Sequence, residues 1–130
     1  MITSLPVRVY YEDTDAGGVV YHASYLKFSE RARTEFLRTI GFDHNGVLQN
    51  HGAYFVVRHI DASFNRPALL DDCLIVETSV SYIKNASFAM KQTILRDNVS
   101  LFDMTVILAC INAEGKPLRI PDDIKTALAL

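Results

Sequence analysis

Three carboxylates, Glu12, Asp13 and Asp15, stand beside the pair Gly17 and Gly18 and a few residues ahead of His22, in the stretch YYEDTDAGGVVYHASY over residues 10–25. Acids packed this closely can cap a helix, ligate a metal, or supply a nucleophile or a general base. One acid ahead of a helix is explained by capping. Three, next to a backbone stretch without Cβ atoms that a ligand can approach closely, point to a site.

The elements that would position this stretch follow from the spacing of apolar residues. Ahead of it lies a short strand-like run, Val7 to Tyr10. Behind it, over 22–40, Tyr25, Phe28, Ala32, Phe36 and Ile40 recur at helical spacing on one face. Lys27, Arg31, Thr34 and Arg38 fall on the opposite face, with Arg31 and Glu35 spaced for an i,i+4 ion pair. Gly41 is placed to end the helix in a left-handed cap, and residues 43–51 read as a short helix or loop ending at Gly52. The period then changes to two. Tyr54, Val56, Arg58, Ile60, Ala62 and Phe64 alternate with Val57, His59, Asp61 and Ser63 up to Pro67, and Leu74, Val76, Thr78, Val80 and Tyr82 alternate with Glu77, Ser79 and Ser81. Strands over 88–95 and 101–111 follow, joined by turns at 84–86 and 97–98 that are short enough for hairpins. The stretch 106–111, apolar on both faces, suits a central strand or one covered by another subunit. A helical turn or two is predicted over 122–130. Strand, long helix and four antiparallel strands make one α+β domain over 1–130, a sheet wrapped around its helix.

Composition narrows the partners. With 130 residues there is material for one core, and a net charge of -2 leaves no basic stripe for a phosphate backbone, which excludes nucleic acid as the main partner. The longest apolar run is far short of the roughly 20 residues that span a bilayer. The 49% hydrophobic content is high for a domain of this size, and a subunit interface is the expected use of the surplus. No charged-then-apolar leader pattern opens the chain, and Cys73 and Cys110 lie in apolar strand-like stretches. Buried reduced thiols in a cytoplasmic protein are therefore expected.

The pattern Tyr11, Asp13, Thr14, Asp15, Gly18, Val20, Tyr21, His22, Tyr25, Glu30, Ala32 and Arg33 resembles that of the hotdog-fold 4-hydroxybenzoyl-CoA thioesterases. Within them it is most similar to the acyl-CoA thioesterase branch encoded beside the Tol–Pal system. Weaker matches continue through RPALLDD (66–72), SF (87–88) and PLRIP (117–121). The resemblance implies a hotdog fold, a five-stranded antiparallel sheet around one long central helix, and hydrolysis of an acyl-CoA to free acid and CoA. It puts the catalytic carboxylate at Asp15, acting as nucleophile or general base, and the donor that polarises the carbonyl at the backbone N–H of His22. Such a donor is supplied by the first turn of a helix, whose amides are free and whose dipole favours negative charge.

Further roles follow from the same resemblance. Tyr11 would hydrogen-bond Asp15 or substrate, Gly17 and Gly18 would let the thioester approach, and Val20 and Tyr25 would line the substrate site. Asp13 is read as fixing the turn by an Asx-type bond, and Glu30 as a buried polar partner of Arg33. Depth past Tyr25, Phe28 and Phe55 would set acyl length. Basic candidates for CoA phosphates are Arg58, Arg66, Lys84, Lys91 and Arg119, where Lys84 is all that IKNASF keeps of the basic cluster preceding SF in the aromatic-substrate branch. The active site would lie between subunits of a homodimer or a tetramer built from dimers. An acyl carrier protein as thioester donor, or a non-catalytic acyl-binding partner of lipid synthesis, is the alternative. A metal is not expected. The Asp-x-Asp loop of haloacid-dehalogenase-type phosphatases needs alternating helices and parallel strands, and Asp71-Asp72 and Asp122-Asp123 read better as solvated turns. His22, His44, His51 and His59 lack the pairing of a zinc helix.

Overall fold

The apolar stripe beginning at Tyr25 organises the molecule. In the computed structural model, which describes residues 1–130, it forms one face of helix α1 (His22–Thr39). Tyr25, Phe28, Ala32 and Phe36 on that face are at most 4% exposed. They pack against Leu74, Val76, Met90, Met104, Val106 and Leu108 of the sheet in one hydrophobic cluster. Burying a side chain such as Phe28 is worth about 1.5–3 kcal/mol, so this face fixes the helix to the sheet. The helix ends at Gly41, whose φ of +98° is open to glycine. Gly41 N–H donates to Arg38 O and Phe42 N–H to Leu37 O, the paired bonds of a Schellman cap.

Around α1 run β1 (Ile2–Arg8), β2 (Tyr54–Phe64), β3 (Cys73–Ile83), β4 (Ser87–Arg96) and β5 (Val99–Ile111), with α2 (His44–His51) after α1 and α3 (Asp122–Leu128) at the end. All pairings are antiparallel, in the order β1-β3-β4-β5-β2. This is the five-stranded α+β architecture the sequence implies. β5 lies inside the sheet, as its two apolar faces predict. Asp97 and Asn98 both adopt positive φ, which gives the tight β4–β5 hairpin the twist its strands need.

Three register shifts interrupt the ladders, one of them at Leu101 near the β4–β5 turn, and the other two revise the alternation. In β2 the register shifts between Val57 and His59, so Phe55 and Val57 face inward with their partners Cys110 and Leu108. The inward set then resumes at Ile60, Ala62 and Phe64. The extra residue, Arg58, is exposed. In β3 a shift between Val80 and Tyr82 turns Tyr82 outward and packs Ile83 against the core instead. One inserted residue flips every later side chain, and a simple period of two cannot anticipate it.

Other expectations change as well. Glu35 pairs with Arg38 at 2.7 Å, not with Arg31, which lies over the Phe28 ring at 5.9 Å. Glu30 is exposed rather than buried. Both cysteines are free, but Cys73 at the start of β3 is exposed and only Cys110 is buried. Asp72 is no solvated turn residue: it holds Arg96 at 2.6 Å and accepts from Leu69 N–H at 2.8 Å. No helix is long and apolar enough to cross a membrane.

Candidate active site

The acid-rich stretch does not run straight from strand into helix. Tyr11–Asp13 makes a single 3-10 turn, and Thr14 to Val20 then forms a miniature hairpin. Asp15 N–H donates to Val19 O at 2.8 Å, and Gly18 N–H donates to Asp15 O at 3.1 Å. A three-residue loop of this kind needs its last residue in the left-handed region, and Gly18 supplies it with φ +83°. At Gly17 the constraint is different: a Cβ there would stand 3.2 Å from Asp15 Oδ1. The two glycines therefore shape the carboxylate's own loop.

The carboxylates separate by role. Asp13 is 7% exposed, and its Oδ2 accepts from Tyr10 N–H at 2.8 Å, reaching back along the chain rather than forward as an Asx turn does. Asp15 makes the Asx-type contact instead: Oδ1 accepts from Gly17 N–H at 2.8 Å and from Val19 N–H at 3.4 Å. Its Oδ2 takes no hydrogen bond from the chain. Asp15 does not cap α1 either, because the N-cap residue is Tyr21, with no capping side chain. The N–H groups of His22 and Ala23, at the first turn of α1, consequently have no acceptor within the chain. The helix begins with an unsatisfied positive end.

These groups open onto one cleft of about 360 Å³ lined by Asp15, Val19, Val20, His22, Tyr25, Phe64, Asn65, Arg66 and Pro67. Five expected site residues, Asp15, Val20, His22, Tyr25 and Arg66, thus meet. Tyr25 is a wall: its ring stacks on Phe102 at 5.2 Å and meets Phe64 edge-on at 5.5 Å, and its hydroxyl accepts from Ala68 N–H at 3.0 Å. Arg66 is exposed and its guanidinium donates to no group of the chain. The loop 66–72, matched in sequence but assigned a role only at Arg66, pins the hairpin: Val20 N–H donates to Ala68 O, and Val19 bridges Leu69. The Asp72–Arg96 pair braces that loop from below.

Other expected residues lie elsewhere. Tyr11 is 83% exposed and its hydroxyl reaches nothing in the chain, so it does not bond Asp15 here. Lys84 sits in the β3–β4 turn at the opposite end of the sheet, its ammonium over the Tyr82 ring at 5.4 Å. Phe28 is wholly buried in the core and lines no opening. No three His, Cys, Asp or Glu side chains converge, so neither Asp71-Asp72 nor Asp122-Asp123 gathers a ligand set.

A second cavity, which the sequence reading missed apart from Phe55, lies further along the seam between α1 and β2. It encloses about 240 Å³ among Phe36, Leu37, Phe55, Val57, Phe88 and Leu108, with Arg33, Glu30 and His44 at its polar side. Arg33 Nη1 donates to Gln92 Oε1 at 3.0 Å. Gln92, fully buried on β4, donates in turn to Ser29 O at 2.8 Å and to Thr78 Oγ1 at 3.0 Å. Burial pulls the Arg33 guanidinium below its usual pKa, with the charge of Glu30 working against that.

Comparison with known proteins is consistent across sequence and fold. A profile of the thioesterase-like superfamily matches residues 9–128. The chain is 48% identical over 125 residues to a Haemophilus influenzae protein named acyl-CoA thioesterase YbgC, covering 95% of this chain and 92% of that one. It is 44% identical over 121 residues to the acyl-CoA thioester hydrolase YbgC of Escherichia coli, covering 92% and 90% respectively. A crystal structure of a probable thioesterase from Bartonella henselae superposes with a TM-score of 0.88 at 44% identity, over 93% of this chain and 100% of that one. A solved 4-hydroxybenzoyl-CoA thioesterase, at 18% identity, shares the fold with a TM-score of 0.92 over 98% of both chains.

Proposed function

The chain belongs to the thioesterase-like superfamily and is an acyl-CoA thioester hydrolase; we propose that Asp15 carries the reaction, acting on a carbonyl held by the start of α1. The observation that supports this most is a pairing of opposites in one cleft. Asp15 keeps one oxygen free of hydrogen bonds, and the N–H groups of His22 and Ala23 have no acceptor.

The chemistry follows from those two features. A thioester oxygen lodged at the His22 N–H becomes an oxyanion when its carbon is attacked, and the amide and helix dipole stabilise the new charge. In one route Asp15 Oδ2 attacks the carbon itself. The C–S bond then breaks, CoA leaves as thiolate, and water hydrolyses the mixed anhydride to regenerate the carboxylate. In the other, Asp15 takes a proton from water, whose oxygen attacks the same carbon, and the tetrahedral intermediate expels the same thiolate. Both routes need the geometry above. Arg66, unpaired at the rim, is suited to a CoA phosphate. Acyl-CoA is the donor we adopt over a carrier-protein thioester, in line with the names of the curated relatives.

We further read the working unit, one thioesterase domain over 1–130, as a homodimer or a tetramer of dimers in the cytoplasm. β2 is an edge strand, long and apolar, with Val57 46%, Ile60 37% and Phe64 53% exposed on the side facing α1. Such an edge invites pairing with another strand. Antiparallel pairing of two β2 strands would set the Phe64 end of one towards the Tyr54 end of the other, so that each cleft faces its partner's second cavity. Lys84, Lys91, Arg58 and Arg119 do not line the cleft of their own chain and would contribute to CoA binding across that boundary.

The test is Asp15→Asn, nearly isosteric but neither nucleophile nor base. Turnover should fall by roughly 100- to 10,000-fold, with melting temperature and sedimentation as a dimer or larger unchanged. Asp13→Asn keeps an acceptor for Tyr10 N–H and should retain activity. Near-normal turnover in the Asp15 variant with loss in the Asp13 variant would reverse the two carboxylates. Wild-type protein sedimenting only as monomer at micromolar concentration would remove the shared site.

A further inference from the structure

The second cavity contains a charge that its walls do not account for. The Arg33 guanidinium is half-buried at the polar side of the cavity, beside Glu30, Thr34 and His44, with aromatic and aliphatic side chains forming the other walls. A guanidinium has five N–H donors. In Arg33 only Nη1 finds an acceptor, the Gln92 oxygen at 3.0 Å. It forms no ion pair: Glu30 is exposed at the rim and acts on it only at a distance. His44, the other polar lining group, is engaged with Thr34 Oγ1 at 3.3 Å. Donors left over in a half-buried, mostly apolar pocket are costly unless something arriving there accepts from them.

The position says what arrives. The cavity and the cleft lie on the same seam, between α1 and β2, with His22 and Phe64 at one end and Arg33 and Phe55 at the other. On the edge pairing read above, the acyl group of a thioester held in one cleft points into this cavity of the partner. Its alkyl portion meets Phe55, Val57, Phe88 and Leu108, and its far end meets Arg33.

We propose that Arg33 is a specificity-determining residue, selecting acyl groups whose far end carries an oxygen acceptor, a keto oxygen or a carboxylate, over plain alkyl chains of equal length. This rests on the thioesterase reading and on the β2-paired dimer. Gln92 orients the guanidinium from behind, and the remaining N–H groups face the cavity as the selecting surface.

Hexanoyl-CoA, 5-oxohexanoyl-CoA and adipoyl-CoA share one chain length and separate the alternatives. The wild-type enzyme should hydrolyse at least one acceptor-ended substrate with kcat/KM about 10-fold or more above hexanoyl-CoA, the scale of one hydrogen bond to a charged group. A preference for adipoyl-CoA identifies a carboxylate ligand, and a preference for 5-oxohexanoyl-CoA alone identifies a neutral acceptor. Arg33→Met should abolish the preference, and Arg33→Lys should retain part of it. A merely structural arginine would lower all three substrates together and leave their ratio untouched. Equal hydrolysis of the three by the wild-type enzyme overturns the proposal even if neither variant folds, as does a preference that survives Arg33→Met. Failure to hydrolyse any acyl-CoA would instead overturn the thioesterase reading, and this inference with it.

Discussion

The cleft at Asp15 and the cavity at Arg33 are built by opposite means. The cleft's reactive groups come mainly from one stretch of chain, Asp15 to Tyr25, and its critical bonds span two to four residues. The cavity is assembled from α1, α2, β2, β4, β5 and α3, and its central bonds join residues such as Arg33 and Gln92 that are 59 apart in sequence. Asp15 is exposed, whereas Gln92 is wholly buried. The difference suits the kind of work proposed for each region. Reaction chemistry needs a few groups at short, fixed offsets, which a turn provides. Discrimination among acyl groups needs a shaped, dry enclosure, which only packed elements provide.

That contrast can be broken from either side. Gln92→Leu should act on the cavity with the largest effect on stability, since it strips Arg33, Thr78 and Ser29 O of a buried partner. A loss of roughly 3 kcal/mol is expected, seen as a melting temperature lowered by about 10 °C. Turnover per folded molecule should suffer less than in the cleft variant that follows. A Gln92 variant that melts like the wild type would show that the network contributes little and that the cavity is held by apolar packing alone.

Gly17→Ala should do the converse. Its added Cβ, 3.2 Å from Asp15 Oδ1, displaces the carboxylate by a few tenths of an ångström. Turnover should drop about 10-fold while melting is nearly unchanged, because Gly17 is not in the left-handed region. Full activity in this variant would mean that the carboxylate tolerates displacement and that its loop is not the positioning device.

The smallest effect belongs to a group outside both regions. Burial alone would raise the pKa of Asp103 on β5, but hydrogen bonds from Ser100, Thr93 and Asn65, with Lys91 nearby, outweigh it and hold the carboxyl below the usual range. A folded pKa below the unfolded one contributes stability above the unfolded value, about 3.9, and loses it as pH falls through the lowered one. Asp103→Asn should therefore flatten the fall in stability below about pH 4 and leave neutral-pH turnover unchanged. A change in turnover at neutral pH would tie this network to the cleft through Asn65.

Legibility in the sequence tracked the range of the interactions. The α1 stripe, the Gly41 cap, the Asp97-Asn98 hairpin and the succession of strands and helices along the chain depend on neighbours within a turn or a pleat, and they were readable. That Asp15, Val20, His22 and Tyr25 stand together was readable because one nearly continuous motif carries them; Arg66 came from a separate matched stretch. Misreadings arose where one residue was inserted or a partner came from afar. The bulges at Arg58 and Ser81 reversed the facing of Val57 and Tyr82. Asp72 found Arg96 across the sheet, and Arg33 found Gln92 instead of Glu30. Tyr11 and Lys84 matched their motifs but lie outside the cleft of their own chain.

The sequence by itself determined which groups of the 10–25 stretch stand together and roughly how far apart, because backbone geometry turns short offsets into fixed positions. Tertiary structure alone decided which strand is left as an apolar edge and where a second cavity forms beside a cation. Those outcomes depend on which distant surfaces pack together. Packing is settled by the sum of many weak contacts over the whole chain, and no local window of residues contains that sum.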